Sequence, residues 1–223
     1  MKLRALSSDD KATRRGAILS AARTLLISDS RQLPSAARIA EASGLAKGTV
    51  YLYFRTKEEI FVSLLAEDFA GLLNEIQLFF DGDWQSQGVT GLISRLAAYL
   101  NAYPELLRLD AMAYSVLEQN LSDQYLRDFK LALTQRLVAA GATLDQELGL
   151  SSGRGVTLLM RTYALIRGLW QSLDHPPSLR ALLAEPVFAP IRPDFQTEMV
   201  AALDEYWRGA LSTPAMPASA ASM

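Results

Sequence analysis

The sequence predicts an all-α fold of about nine helices, with a three-helix head followed by a larger helical body. Apolar residues recur at three- and four-residue spacing through most of the 223 residues. No run shows the strict alternation of a half-buried strand, and no internal repeat is present. Serine, aspartate, glycine and proline fall where helices of such lengths would start and stop.

Each element has its own local reason. In KATRRGAILSAARTLLISD, Ala17 or Ile18, Ala21 or Ala22, and Leu25 or Leu26 share one face, and Asp9 or Asp10 is placed to cap the start. PSAARIAEASG reads as a short second helix, capped by Ser35 and stopped by Gly44. LAKGTVYLYF is a third. Thr56 opens a long fourth helix, since Glu59 lies three residues on, the spacing of a capping box. Its apolar face, Ile60, Leu64, Leu65, Leu72 and Ile76, runs on to Phe80. DGDWQSQG reads as a loop. Helices follow in VTGLISRLAAYLNA, YPELLRLDAMAYSVLEQN, LSDQYLRDFKLALTQRLVAAGATLDQELG and GRGVTLLMRTYALIRGLWQSL. Pro104 falls in a first turn, where its missing N–H costs nothing. Five of the nine prolines lie between Pro176 and Pro193, so that region is a loop with one helical turn near Leu179 to Leu183. DFQTEMVAALDEYWRGAL is the last helix, and STPAMPASAASM reads as a disordered tail.

Composition removes several classes of function. There is no Cys and a single His, His175, so thiolate metal sites and disulfides are absent and His-based triads have almost no material. The acidic residues are spread at helix-surface spacing, and nothing singles out a catalytic pair. No enzyme and no cofactor is expected. MKLRALSSDDKATRR lacks the apolar core of a secretory signal. The longest apolar stretches are interrupted by charges such as Arg161 and Arg167 and are too short to span a bilayer. A cytoplasmic protein with no membrane partner is expected. The net charge of −2 is unevenly placed: residues 1–60 hold 11 Lys/Arg against 6 Asp/Glu, and residues 61–223 hold 11 against 18. A basic head on an acidic body suits a polyanion met by the head alone.

Helices two and three, joined by ASGLA, fit a helix-turn-helix, because the sharp reversal asks one residue to take a left-handed conformation. Ile39, Ala40, Leu45, Val50 and Phe54 can form its small core. Lys47, Gly48, Thr49, Leu52 and Tyr53 then face largely outward, with Tyr51 at the border. That set suits a DNA groove: a cation for phosphate or a guanine edge, a glycine for close approach, three hydroxyls for phosphate oxygens, and a leucine for a thymine methyl. Lys57 lies in the first turn of the fourth helix, where free N–H groups already favour an anion. Arg14 and Arg15 can reach phosphates, and Lys2, Arg4 and Lys11 can serve as a basic arm.

The stretch IAEASGLAKGTVYLYFRTKEEIF resembles the TetR/AcrR family of bacterial transcriptional regulators. The likeness joins an Ile-Ala pair, a Gly-Leu turn, Lys-Gly-Thr, a Tyr-x-Tyr-Phe end and a Lys-Glu-Glu helix start, all in register. It implies a DNA-binding domain over residues 1–56, with the motif at about 35–54, and a ligand-binding and dimerisation domain over 57–211 before the tail at 212–223. It implies a homodimer on a palindromic double-stranded operator, most often a repressor, released by a small-molecule effector. Carried over by position, Ser35, Lys47, Gly48, Thr49, Tyr51, Leu52, Tyr53 and Lys57 are the DNA-binding residues. Two departures stand out. Ala46 replaces the usual capping residue of the recognition helix, and Leu52 replaces a residue that is often His or polar.

In the body, Tyr103, Met112, Tyr114, Met160, Tyr163, Arg167 and Trp170 are candidate ligand-binding residues, because methionines and aromatics line adaptable apolar pockets. Ordinary core packing with an arginine at a dimer surface is the alternative for each. Helices near 155–173 and 194–211 are the candidates for dimerisation. A helical adaptor without sequence-specific DNA binding is the alternative function; it would account for the body but not for the outward set in the head.

Overall fold

The computed structural model describes residues 8–28 and 33–212. Among the described residues there are ten α-helices, one π-helical turn, two 3-10 segments and no strand. The helices are α1 (Ser8–Ser28), α2 (Ala36–Ala42), α3 (Lys47–Tyr53), α4 (Lys57–Phe80), α5 (Trp84–Ala102), α6 (Glu105–Met112), α7 (Asp123–Glu147), α8 (Arg154–Leu173), α9 (Pro177–Leu182) and α10 (Phe195–Ser212). The expected arm residues Lys2 and Arg4, and nearly all of the expected tail, lie outside the described residues.

The differences from expectation have local causes. Asp9 and Asp10 sit inside the first turn of α1 and favour its positive dipole end from there. The expected loop DGDWQSQG is mostly helical: a turn begins at Trp84, and the helical path breaks at Gly88, whose φ is 59°. The stretch expected as one helix after Pro104 is three pieces. α6 ends at Met112, a π turn follows over Ala113–Leu117, and a 3-10 turn closes it at Asn120. Across the π turn, Ala113 and Leu117 are buried, and Tyr114, Ser115 and Val116 lie outside.

The chain divides into two compact units. One holds the chain up to Ala70 together with Tyr103–Leu133; the other holds Gly71–Ala102 and everything from Thr134 on. α4 and α7 each run through a boundary. In the first unit, α1 packs on α2 and α6, and α2 on α3. Its core is Ile18, Ala22, Leu26, Ile39, Val50, Phe54, Ile60, Phe61, Leu64, Leu106, Leu109 and Leu117. Each buried Leu or Ile is worth roughly 1.5–3 kcal/mol over leaving it exposed.

In the second unit, α10 packs on α5 and α8 around Leu92, Ile93, Leu96, Leu158, Ile166, Met199, Leu203 and Trp207. α7 and α8 approach closely where glycines meet. A Cβ on Gly155 would lie 2.1 Å from the carbonyl oxygen of Gly141. Gly153, with φ 82°, gives α8 no side-chain cap. The Asp145 carboxylate does that work from α7, accepting from the N–H of Gly153 at 2.7 Å and of Gly155 at 2.5 Å. GRG is thus a helix start held by an acid.

Candidate nucleic-acid interface

The α2–α3 corner follows from its sequence. The Ser35 hydroxyl accepts from the Arg38 N–H at 3.3 Å and caps α2. At the other end Gly44 takes φ 68°. The Leu45 N–H donates to the Ala40 carbonyl at 2.9 Å, and the Gly44 N–H to that of Glu41 at 3.1 Å. This six-to-one and five-to-two pair satisfies two carbonyls that the end of α2 would leave orphaned. Ala46 caps α3 with backbone alone, as its side chain dictates.

The corner buries Ile39, Ala40, Val50 and Phe54, with Leu45 half-buried. Most of the rest of α3 is exposed, though Thr49 and Tyr53, expected to face out, are drawn partly inward, and Tyr51, expected at the border, is not. Leu52 is 81 % exposed and Tyr51 45 %; Lys47 and Gly48 are exposed, and Thr49 and Tyr53 are half-buried. Among the described residues, no hydrogen bond or ion pair engages the side chains of Lys47, Thr49, Tyr51 or Tyr53. Gly48 is not required by the chain's own packing: its φ is ordinary, and a Cβ there would meet nothing within 4 Å. Ser35 is exposed and already used as a cap.

α4 begins with the Thr56–Glu59 pair of the expected capping box, its return bond reaching one residue further back. The Glu59 N–H donates to the Thr56 hydroxyl at 3.2 Å, and the Arg55 N–H donates to the Glu59 carboxylate at 2.6 Å. Lys57 is the first residue of α4 and half-buried, and its ammonium lies 4.0 Å from the Glu58 carboxylate. Its charge is therefore shared with a neighbour. Arg15 is committed inside the unit, its guanidinium 5.3 Å from the Phe54 ring centroid and 3.5 Å from Glu67. Arg15 also links α1 to the end of α3 and to α4 through these contacts, with its side chain 45% exposed.

Two further braces were not foreseen from sequence. Arg23 of α1 bonds Asp68 of α4 at 2.7 Å and also bonds Glu105 of α6. Tyr125 of α7 meets α4 through the Ser63 hydroxyl at 2.8 Å and the Glu59 carbonyl at 3.1 Å. One signal was present: Asp68 interrupts the apolar run FVSLLAEDFAGLL, and Arg23 interrupts the apolar face of α1.

The candidate ligand residues divide between the units. Tyr103, Met112 and Tyr114 belong to the first, and Met160, Tyr163, Arg167 and Trp170 to the second. Tyr114 is 63 % and Met160 55 % exposed. Tyr114 flanks the Lys130 ammonium, 5.1 Å from its ring centroid, while Lys130 pairs with Glu118 at 2.6 Å. Tyr103 lies beneath the Arg23 guanidinium at 5.5 Å. Tyr163, Arg167 and Trp170 are half-buried.

A capped corner with a short exposed helix, on an otherwise all-helical chain, defines a helix-turn-helix protein. Residues 18–64 match the family described as bacterial regulatory proteins, tetR family. Residues 66–214 match the one described as tetracyclin repressor-like, C-terminal domain. The chain belongs to the TetR family and is a DNA-binding transcriptional regulator. It is similar to an uncharacterised HTH-type transcriptional regulator of Mycobacterium bovis, 27% identical over 177 residues, which covers 77% of this chain and 88% of the relative. A solved structure of a TetR-family transcriptional regulator from Mesorhizobium loti shares the fold, with a TM-score of 0.59 at 22% identity over 90% of this chain and 96% of the other. No helix among the described residues is long and apolar enough to cross a membrane.

Proposed function

We propose that this regulator is a cytoplasmic repressor that binds a palindromic operator as a homodimer and releases it when a small molecule binds. The observation that carries the DNA contact is the outward face of α3, where Lys47, Gly48, Tyr51 and Leu52 are exposed while Val50 and Phe54 hold the helix from behind. In this reading α3 enters the major groove. Leu52 meets a base edge, and Thr49, Tyr51, Tyr53 and Lys57 meet phosphates. Ser35 places the start of α2 by its cap.

The head is residues 1–56 and the effector and dimer domain residues 57–211. A dimer brings two α3 helices about 34–36 Å apart, one turn of duplex, or further on a longer operator. α8 and α10 form the dimer face. Met199, Leu203 and Trp207 are consumed by the chain's own core, so the partner meets Met160, Tyr163, Trp170, Val200 and Tyr206. The effector binds in the body, with Arg167 among the candidates. α4 spans 24 residues, roughly 35 Å at 1.5 Å per residue, and carries the change to the head. Effector and operator then weaken each other's binding by one factor.

Selection of bound duplexes from a random pool, followed by anisotropy titration over a range of salt, tests this reading. A palindromic consensus and a steep salt dependence are expected. Recovery of no sequence preference, or of single half-sites bound by monomers, would refute it.

A further inference from the structure

Glu59 is held at three points, and the third comes from a helix far along the chain. Its N–H donates to the Thr56 hydroxyl at 3.2 Å, and its carboxylate accepts from the Arg55 N–H at 2.6 Å. Its carbonyl accepts from the Tyr125 hydroxyl at 3.1 Å. A carbonyl only accepts, so the single phenolic proton is spent there. The Ser63 hydroxyl, 2.8 Å away, therefore donates to the phenolic oxygen. Ser63 and Glu59 are both buried. Tyr125 sits in the first turn of α7, where its own N–H donates to the Ser122 hydroxyl at 3.3 Å. A turn further on, Lys130 ties α7 to Glu118 of the preceding 3-10 segment at 2.6 Å. The other side of Glu59 leads to the reading helix. Arg55 follows Phe54, which closes α3 with its N–H on the Val50 carbonyl at 3.0 Å and its side chain buried. The start of α7 thus reaches the end of α3 through a single residue of α4.

We infer that Tyr125 is a positioning residue for DNA reading: it fastens the first turn of α7 to the α3–α4 turn and so sets the pose of α3. The placement of α7 then reaches the reading helix by a route separate from the length of α4. α7 is delivered by a π turn over Ala113–Leu117 and a 3-10 segment over Glu118–Asn120, irregular backbone of the kind that accommodates a shift. An effector that moves the first turn of α7 breaks both hydrogen bonds of the Tyr125 hydroxyl and frees the turn behind α3. The effect on operator binding rests on the reading of α3 given above, because a preorganised helix binds more tightly than a mobile one.

Tyr125→Phe keeps the ring and removes both bonds, and two measurements on the full chain test the inference. The first is amide hydrogen exchange without DNA. The Arg55 amide should open about fivefold more often in Tyr125→Phe than in the native protein, while the amides of α10 stay level. Ser63→Ala, which withdraws only the donor to the phenolic oxygen, should raise Arg55 opening about twofold. An unchanged Arg55, or an equal rise along the whole chain, overturns the inference; should Tyr125→Phe not fold, Ser63→Ala decides by the same criterion. The second measurement is affinity for a selected duplex and for a duplex of random sequence. A displaced α3 loses base contacts before phosphate contacts, so Tyr125→Phe should bind the selected duplex about fivefold more weakly and the random one within about twofold of native. Thr143→Ala is the control: it removes the 2.6 Å bond from Gln77, which joins α4 to α7 near the far end of α4, and should leave both affinities level. Equal weakening on the two duplexes, equal weakening by the two substitutions, or a lower melting temperature at unchanged affinity overturns the positioning role. If no duplex binds even the native chain, the reading of α3 fails, and the exchange measurement alone decides whether Tyr125 sets the turn.

Discussion

Gly48 is the most informative single residue of the recognition helix. Nothing inside the chain asks for glycine there, and glycine is ordinarily disfavoured at a helical residue, even in the first turn, where Gly48 lies. Gly48→Ala should therefore raise stability by about 0.5–1 kcal/mol in chemical denaturation. If the bare backbone serves close approach to DNA, the same change should weaken duplex binding. Tighter or unchanged binding would remove Gly48 from the interface. Leu52 makes the complementary case, since a leucine 81 % exposed has no packing role to lose. Leu52→Ala should leave the melting temperature in place and alter base preference at one position per half-site, read by repeating the duplex selection. Lys57→Ala should weaken binding to every sequence and lower the salt slope by about one unit. The nearby Glu58 carboxylate makes a smaller change the natural sign that Lys57 serves its neighbour instead.

At the scale of elements, stability is decided where helices end and where they touch. Gly155→Ala would drive a Cβ against the Gly141 backbone, which cannot rotate away, so α7 and α8 must part. A loss of about 1–3 kcal/mol is expected, whereas Gly168→Ala on the same helix, with open space at its Cβ, should be neutral or stabilising. Thermal unfolding of the two variants side by side checks this. The helices themselves were legible in sequence because their signals are local: the cap at Ser35, the left-handed stop at Gly44 and the Thr56–Glu59 box each lie within a few residues of what they control. The outward face of α3 was legible in part: Lys47, Gly48 and Leu52 are exposed as expected, whereas Tyr51, expected at the border, is exposed and Thr49 and Tyr53, expected outward, are half-buried. What could not be read is what depends on distant partners. Asp145 caps α8 from eight and ten residues upstream, and Arg23 meets an acid 82 residues away. The break of α6 into a π turn likewise has no glycine or proline between residues 105 and 120 to announce it.

At the scale of the whole molecule, the acidic body and basic head remain the simplest feature of the charge map, and they predict an association rate that falls with salt while the body contributes little. Stopped-flow mixing with duplex at several ionic strengths would measure it. The interrupted make-up of the first unit has a separate consequence for anyone who would transplant the reading head. That unit draws its residues from two stretches of chain, so a head cut out at its single C-terminal end leaves part of the unit's packing behind. A graft of residues 1–70 onto a related body carries Arg23 and Asp68 without Glu105, and Ser63 without Tyr125. Such a hybrid should melt earlier than either parent, and co-transfer of residues 103–133 should recover the loss. Full recovery by residues 103–133 is the result that would tie the thermal stability of a transplanted head to both stretches of chain.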